Sequence, residues 1–350
     1  MPPFGALMQL LAYCAQDMFL FKFLLYYSKH NISTIIKDFE FANVKMTKNK
    51  HNSHIKFNHK SNRQNFNGIY GVNSQQQYLP CVDNYAYLSK QLKFISCASN
   101  SLCSINSLEN FYLLWLNCSL NKLSFIPNKL IKLEYLDISS NIVESLDFIG
   151  YPSLKYLIGN TNIIRKITNL PNILIYLDLS NNPIDNLDNI TWINIEQNIL
   201  EYLIIVKTKI ISANLVNFTK LKYLDISINS LSGNSMDNLP QSLIYLNCSQ
   251  CVIEYLDNLP LNLEILKCIN NSIKNLNMLP LNLKKLDCSY NSIKYLDDLP
   301  FELSELDCSH NSIKYLDNLP FELSELNCSY NPIDKLDNLP NKLVKLVYEN

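Results

Sequence analysis

Between Leu92 and Leu336 apolar and polar positions recur on one template, L-x-x-L-x-C-x-x-N-x-I-x-x-L, twelve times over. Residues 299–318 read LPFELSELDCSHNSIKYLDN and residues 319–338 read LPFELSELNCSYNPIDKLDN, so the C-terminal copies are almost identical. A period near twenty residues marks a solenoid, in which each copy is one structural unit stacked on the next. Within L-x-x-L-x-C-x, alternation puts the second Leu and the Cys on one face of a short strand. Copies stacked in order pair these strands in parallel. The Asn that follows is expected to turn the chain, its amide serving backbone groups that the turn would otherwise orphan. The later Ile, Leu and Leu-Pro carry an extended return segment, and Pro suits a segment outside a hydrogen-bonded ladder.

Two columns follow from the register. Asn100, Asn121, Asn141, Asn162, Asn182, Asn229, Asn271, Asn291, Asn311 and Asn331 form a structural asparagine ladder, with Thr208 and Cys251 standing in at two rungs. Cys97, Cys118, Cys248, Cys268, Cys288, Cys308 and Cys328 share one repeat position and form a column of small buried hydrophobes. Most of the 11 cysteines are thereby explained without disulfides, and the odd total points to a reducing compartment.

The repeats over residues 88–350 resemble the leucine-rich-repeat family, whose core consensus is L-x-x-L-x-L-x-x-N/C-x-L. The L-P-x-x-L-x-x-L punctuation is most similar to the bacterial effector class of these repeats. The chain departs from the family in preferring Cys at the sixth position. The resemblance implies a leucine-rich-repeat solenoid of the α/β horseshoe class: mostly short parallel β-strands with extended or 3-10 return segments, twelve repeats plus a partial thirteenth from Leu343. It also implies a non-catalytic protein–protein interaction module.

Residues 1–43 form an apolar N-terminal arm. Gln9, Gln16, Asp17 and Lys22 interrupt its apolar run, so it is too short for a membrane span, and Met1-Pro2-Pro3 does not open like a secretory signal. The expected role is packing on another surface. Residues 5–20, GALMQLLAYCAQDMFL, resemble the extreme N-terminus of the major capsid proteins of nucleocytoplasmic large DNA viruses, with Cys14 where that family has Gly. The match ends near residue 31 and no jelly-roll strands follow, so it implies a giant-virus origin rather than a capsid fold. Residues 44–87 read as a polar, basic, flexible linker; residues 44–64 hold six Lys and Arg and no acid.

Charge and chemistry exclude several classes. The net charge of −1 gives no nucleic-acid footprint, although residues 237–338 hold 15 Asp and Glu against 7 Lys, a local net of −8. Six glycines supply no phosphate loop. His51, His54 and His59 lack the Cys or carboxylate partners that would complete a metal site. Cys248-Ser249-Gln250-Cys251 falls on repeat positions. No enzyme, cofactor, metal or membrane role is expected.

The non-repeating information lies on the outward strand positions, expected to line a concave surface. The residue before the second Leu is Phe94, Trp115, Tyr135, Tyr156, Tyr176, Tyr202, Tyr223, Tyr245, then Ile265, Lys285, Glu305 and Glu325. Two residues on stand Asp137, Asp178, Asp225, Asp287 and Asp307, interspersed with Asn117, Asn247, Asn327, Ile158, Ile204 and Lys267. An aromatic row beside an acidic row suits binding of a host or viral protein through the concave face. The competing reading is a ladder of good strand formers that only stack. A virion-associated structural protein and a substrate-recognition adaptor for a ubiquitin ligase are the other functional readings. Host cytoplasm, or the virion, is the expected location. The last strand, lacking a polar cap, is expected to favour weak self-association through its open edge.

Overall fold

The computed structural model describes residues 40–43, 46–47, 56–57, 70–73, 93–231 and 237–349. The capsid-like residues 5–31 and the histidines at 51, 54 and 59 lie outside the described residues.

The strands in chain order are β1 Glu40–Asn43, β2 Met46–Thr47, β3 Lys56–Phe57, β4 Tyr70–Asn73, β5 Phe94–Ser96, β6 Trp115–Asn117, β7 Tyr135–Asp137, β8 Ser145–Asp147, β9 Tyr156–Ile158 and β10 Lys166–Leu170. Then come β11 Tyr176–Asp178, β12 Ile190–Trp192, β13 Tyr202–Ile204, β14 Tyr223–Asp225, β15 Tyr245–Asn247, β16 Ile265–Lys267, β17 Lys285–Asp287, β18 Glu305–Asp307, β19 Glu325–Asn327 and β20 Lys345–Val347. Fifteen of them form one long sheet, β1-β4-β5-β6-β7-β9-β11-β13-β14-β15-β16-β17-β18-β19-β20, parallel throughout. A second, three-stranded sheet, β12-β10-β8, is built from return segments.

The chain is a parallel-strand solenoid with little helix, as the repeat predicts. The long sheet nevertheless starts earlier than the first repeat. β1 pairs with β4, and β4 pairs with β5. The span 44–87, expected as a flexible linker, therefore contributes the strand Tyr70–Asn73, and the small antiparallel pair β2–β3 also falls within it. Its polar composition hid this: four residues of main-chain pairing need no apolar side chain to direct them.

From β6 onward the register is in phase, Leu opposite Leu: Leu246 pairs with Leu266, Leu266 with Leu286, Leu286 with Leu306. These leucines are 0–3% exposed. The seven column cysteines lie in the same core at 0%. Their thiols reach strand-end carbonyls one repeat on: Cys118 Sγ donates to Asp137 O at 3.3 Å, and Cys268 Sγ and Cys288 Sγ to Asp287 O and Asp307 O at 3.5 Å each. Cysteine therefore fills the core and also offers a weak donor, which Leu cannot.

The asparagine ladder closes the turn after each strand. Asn141 Nδ2 donates to Ile138 O at 3.0 Å, Ser139 O at 3.2 Å and Cys118 O at 3.1 Å, while its Oδ1 accepts from Leu123 N at 2.9 Å. Asn121, Asn162, Asn182, Asn229, Asn271, Asn291, Asn311 and Asn331 donate in the same way within their own turn and to the preceding repeat. Asn100 reaches Cys97 O and Ala98 O. Thr208 and Cys251 substitute through Oγ1 and Sγ, donating to Ile205 O and Ile226 O.

The residue before each rung carries a positive φ of 52° to 57°, from Ser99 through Thr161 and Ile228 to Tyr330, and none is glycine. This left-handed conformation is unfavourable for an L-residue, and most so for β-branched Thr161 and Ile228. The Asn amide, bonded on both sides of the turn, holds it. Glycine is demanded elsewhere: a Cβ on Gly150 would stand 2.1 Å from Asn128 O, so two return segments touch main chain to main chain there.

Candidate protein-binding face

From β6 onward, the first and third residues of each strand in the long sheet point away from the core. Cross-strand register places Phe94, Trp115, Tyr135, Tyr156, Tyr176, Tyr202, Tyr223 and Tyr245 on successive rungs of one row. Between Tyr176 and Tyr245 the rings form a continuous run. Centroids are 6.2 Å apart for Tyr176–Tyr202, 5.9 Å for Tyr202–Tyr223 and 4.2 Å for Tyr223–Tyr245, the last pair nearly coplanar at 4°. Burial raises the phenol pKa of both Tyr223 and Tyr245 above the ordinary value; a hydrogen bond between them lowers the first and raises the second further.

The row is not uniformly open. Tyr202 is 39% exposed, but Tyr135 is 0% and Tyr156 7% exposed. With Ile158 they make an apolar cluster separate from the main core, flanked by Trp115, Ile175 and Tyr176. Trp115 stacks on Tyr135 at 5.3 Å. Asp137, beside them, is only 6% exposed. Tyr135, Tyr156 and Asp137 are thus withdrawn from solvent, and the accessible row runs from Tyr176 through Tyr202, Tyr223 and Tyr245 to Ile265.

The acidic row has internal duties that the sequence reading missed. Each Asp Oδ1 accepts from the backbone N–H two residues on: Asp137 from Ser139, Asp178 from Ser180, Asp225 from Ser227, Asp287 from Ser289 and Asp307 from Ser309. Four of these serines add a hydroxyl bond at 2.6–2.8 Å. The signal was legible as a recurrent D/N-x-S at the strand end. The second oxygens of Asp178, Asp225 and Asp307 accept from Asn160, Asn247 and Asn327 on neighbouring rungs. Asp287 has its carboxyl pKa raised, first by burial and also by Asp307 nearby, against the pull of Ser289 and Lys267.

Ion pairs link adjacent rungs. Lys155 meets Glu134, Lys222 meets Glu201 and Lys284 meets Glu264. Lys285 meets Glu305 at 2.6 Å, and Lys345 meets Glu325 at 2.9 Å. All but the part-buried Lys155–Glu134 pair are solvent-exposed, where such pairs add little to stability. Their larger effect is local neutralisation. A depression of about 290 Å³ at this end is lined by Ile265, Lys285, Asp287, Glu305, Asp307 and Glu325.

Burial raises the thiol pKa of Cys251 and Cys328 to about 11 and of Cys97 to about 12, so these are not nucleophiles at neutral pH. Among the described residues no cluster of His, Cys, Asp or Glu is placed to hold a metal ion, and no helix is long and apolar enough to cross a membrane.

A long parallel sheet with inward Leu and Cys, an asparagine ladder and extended return legs defines a leucine-rich-repeat solenoid. Solved structures of that class are similar to this chain. YopM from Yersinia enterocolitica superposes with a TM-score of 0.61 at 26% identity, over 75% of this chain and 65% of that one. The chain thus spans just under two thirds of the length of YopM. The internalin InlF from Listeria monocytogenes gives 0.57 at 19% identity over 81% of each chain. The plant peptide hormone receptor RGFR1, solved in complex with RGF2, gives 0.56 at 19% identity over 80% of this chain and 50% of that one. No family model and no curated protein matches the chain.

Proposed function

We propose that the chain is a non-catalytic interaction module that binds a protein partner through the open, concave part of the long sheet. Tyr202, Tyr223 and Tyr245 are the anchors, Ile265 extends them, and Asp225, Asp287 and Asp307 orient the partner. The observation that supports this reading is the accessible tyrosine run, which passes directly into the charged rungs from Lys285 to Lys345. Stacked tyrosines offer a large rigid surface at small entropic cost, and flanking polar groups select against wrong partners.

All nine described cysteines are free thiols, which suits work in a reducing compartment such as the cytoplasm. The test is quantitative affinity purification with the triple variant Tyr202→Ala, Tyr223→Ala and Tyr245→Ala. Wild type is expected to retain interactors that the folded variant loses. A variant with the wild-type circular dichroism spectrum and an unchanged interactor set would overturn the assignment.

A further inference from the structure

The residue after Leu-Pro in each return segment stands outside the long sheet, just before the next strand. In successive C-terminal repeats it is Gln241, Leu261, Leu281, Phe301, Phe321 and Asn341. The four central side chains are 62–70% exposed, so an apolar ridge stands in solvent with a polar residue closing each end. Asn128 and Asn172 follow Pro127 and Pro171 in the same way, so the repeat itself asks for no apolar group there. Met278, at φ 63° and 80% exposed, lies where Asn258, Asn318 and Asn338 stand in other repeats. An exposed Met in the left-handed region gains nothing for folding. The segments are fastened in register: Asn262 Nδ2 donates to Gln241 O at 2.8 Å, and Asn282 Nδ2 to Leu261 O at 3.0 Å.

Charge defines what the ridge can receive. Segments 256–262, 276–282, 296–302 and 316–322 carry six acids, Asp257, Asp297, Asp298, Glu302, Asp317 and Glu322, and no Lys or Arg. The chain also shows what such a ring and carboxylate take up. Lys342 Nζ lies 5.0 Å from the centre of the Phe321 ring and 2.6 Å from Glu322. The same pair occurs one rung earlier as Phe301-Glu302, but there the place of Lys342 is held by an acid, Glu322.

We propose that this ridge is a second docking surface, for a basic amphipathic α-helix of a partner protein. Successive rungs are about 4.8 Å apart, and the hydrogen-bonded segments keep the ridge side chains near that spacing. Residues three or four apart on a helix are about 5–6 Å apart. A helix lying along the ridge therefore sets one apolar side chain against each of Leu261, Leu281, Phe301 and Phe321, over about 15 Å or ten residues. A Lys or Arg on its flank reaches Phe301 and Glu302 as Lys342 reaches Phe321 and Glu322. A second copy of the ridge fits less well, because it would set these acids against one another. The surface is separate from the tyrosine run, and the inference does not rest on it.

The test uses the full chain and a fluorescein-labelled synthetic helix of about fourteen residues, with Leu at every third or fourth position, Lys on both flanks and Ala elsewhere. Fluorescence anisotropy is expected to show saturable binding that weakens as salt rises. Leu281→Gln with Phe301→Gln, which copies Gln241 at the equivalent position, is expected to weaken it at least about tenfold. Glu302→Lys is expected to weaken the Lys peptide and, relative to wild type, to strengthen a counterpart with Glu on its flanks, a gain that a misfolded chain would not give. The chain carrying Tyr202→Ala, Tyr223→Ala and Tyr245→Ala is expected to bind as wild type does. No binding, binding unchanged by the ridge substitutions, or equal binding of a peptide with Ser in place of Leu would overturn the proposal. So would binding carried by the three tyrosines, or a ridge that pairs two copies of the chain instead.

Discussion

Asn291 Nδ2 donates to the carbonyl of Cys268, one repeat back, at 2.9 Å, and Asn291 Oδ1 accepts from Ile273 N at 3.0 Å. The same amide also serves Cys288 O and Ser289 O in its own turn. One side chain thus closes its own turn and fastens it to the repeat before. Asn291→Ala is expected to lower unfolding stability by about 3 kcal/mol, because it orphans buried polar groups at about 1–3 kcal/mol each. Asn291→Asp is expected to cost more, since a carboxylate would face three carbonyls. Denaturant titration checks both, and an alanine variant within experimental error of wild type would refute the clamp.

The left-handed residues before the clamps make an opposite prediction. Ile228 has φ 57° and is 42% exposed, so its side chain adds backbone strain and little burial. Ile228→Asn is expected to stabilise by up to about 1 kcal/mol, as Asn tolerates this region better. A loss of stability in thermal or chemical melts would count against the strain argument.

The core thiols predict alkaline sensitivity. Burial raises their pKa in the folded state, to about 11 for Cys328 and about 12 for Cys97, from an unfolded value near 9. Between those values the native state holds protons that the unfolded chain has released, so stability falls as pH rises. The contribution is complete below about pH 9 and disappears as pH passes the folded values. Denaturation midpoints from pH 8 to 11 should show this slope, and Cys328→Ala should make it shallower. Thiol-labelling mass spectrometry at neutral pH should modify exposed Cys103 rapidly and the eight buried cysteines only on unfolding.

Asp287 gives a fourth test. Its carboxyl pKa is raised by burial and by Asp307, so ionisation at neutral pH works against folding. Asn already performs the same task at the equivalent rung, where Asn247 Oδ1 accepts from Ser249 N at 3.1 Å and Oγ at 2.7 Å. Asp287→Asn is expected to stabilise the chain at neutral pH, with the gain fading as pH falls through the carboxylate range. A variant less stable at pH 7 than at pH 4, relative to wild type, would contradict it.

How much was legible follows from how local each constraint is. The strand, its inward Leu and Cys, and the asparagine turn are set by residues within one period, and twelve copies make the period unmistakable. The strands Glu40–Asn43 and Tyr70–Asn73 carry no repeat signature, so only their pairing reveals them. The D/N-x-S turns were present in the sequence, but the acidic row had been read for its outward charge alone.

By itself the sequence determined the solenoid, its phase and the composition of its core, because a repeated apolar pattern has one way to stack with every Leu and Cys inside. It also determined which side chains stand on the outward row. Only the tertiary structure decided which of those are open. Tyr135 and Tyr202 have the same place in the repeat, yet one is buried and the other exposed. Tyr135 stacks on Trp115 and clusters with Tyr156 and Ile158, whereas Tyr202 stands between two tilted tyrosines, and no period of twenty residues encodes that difference in packing.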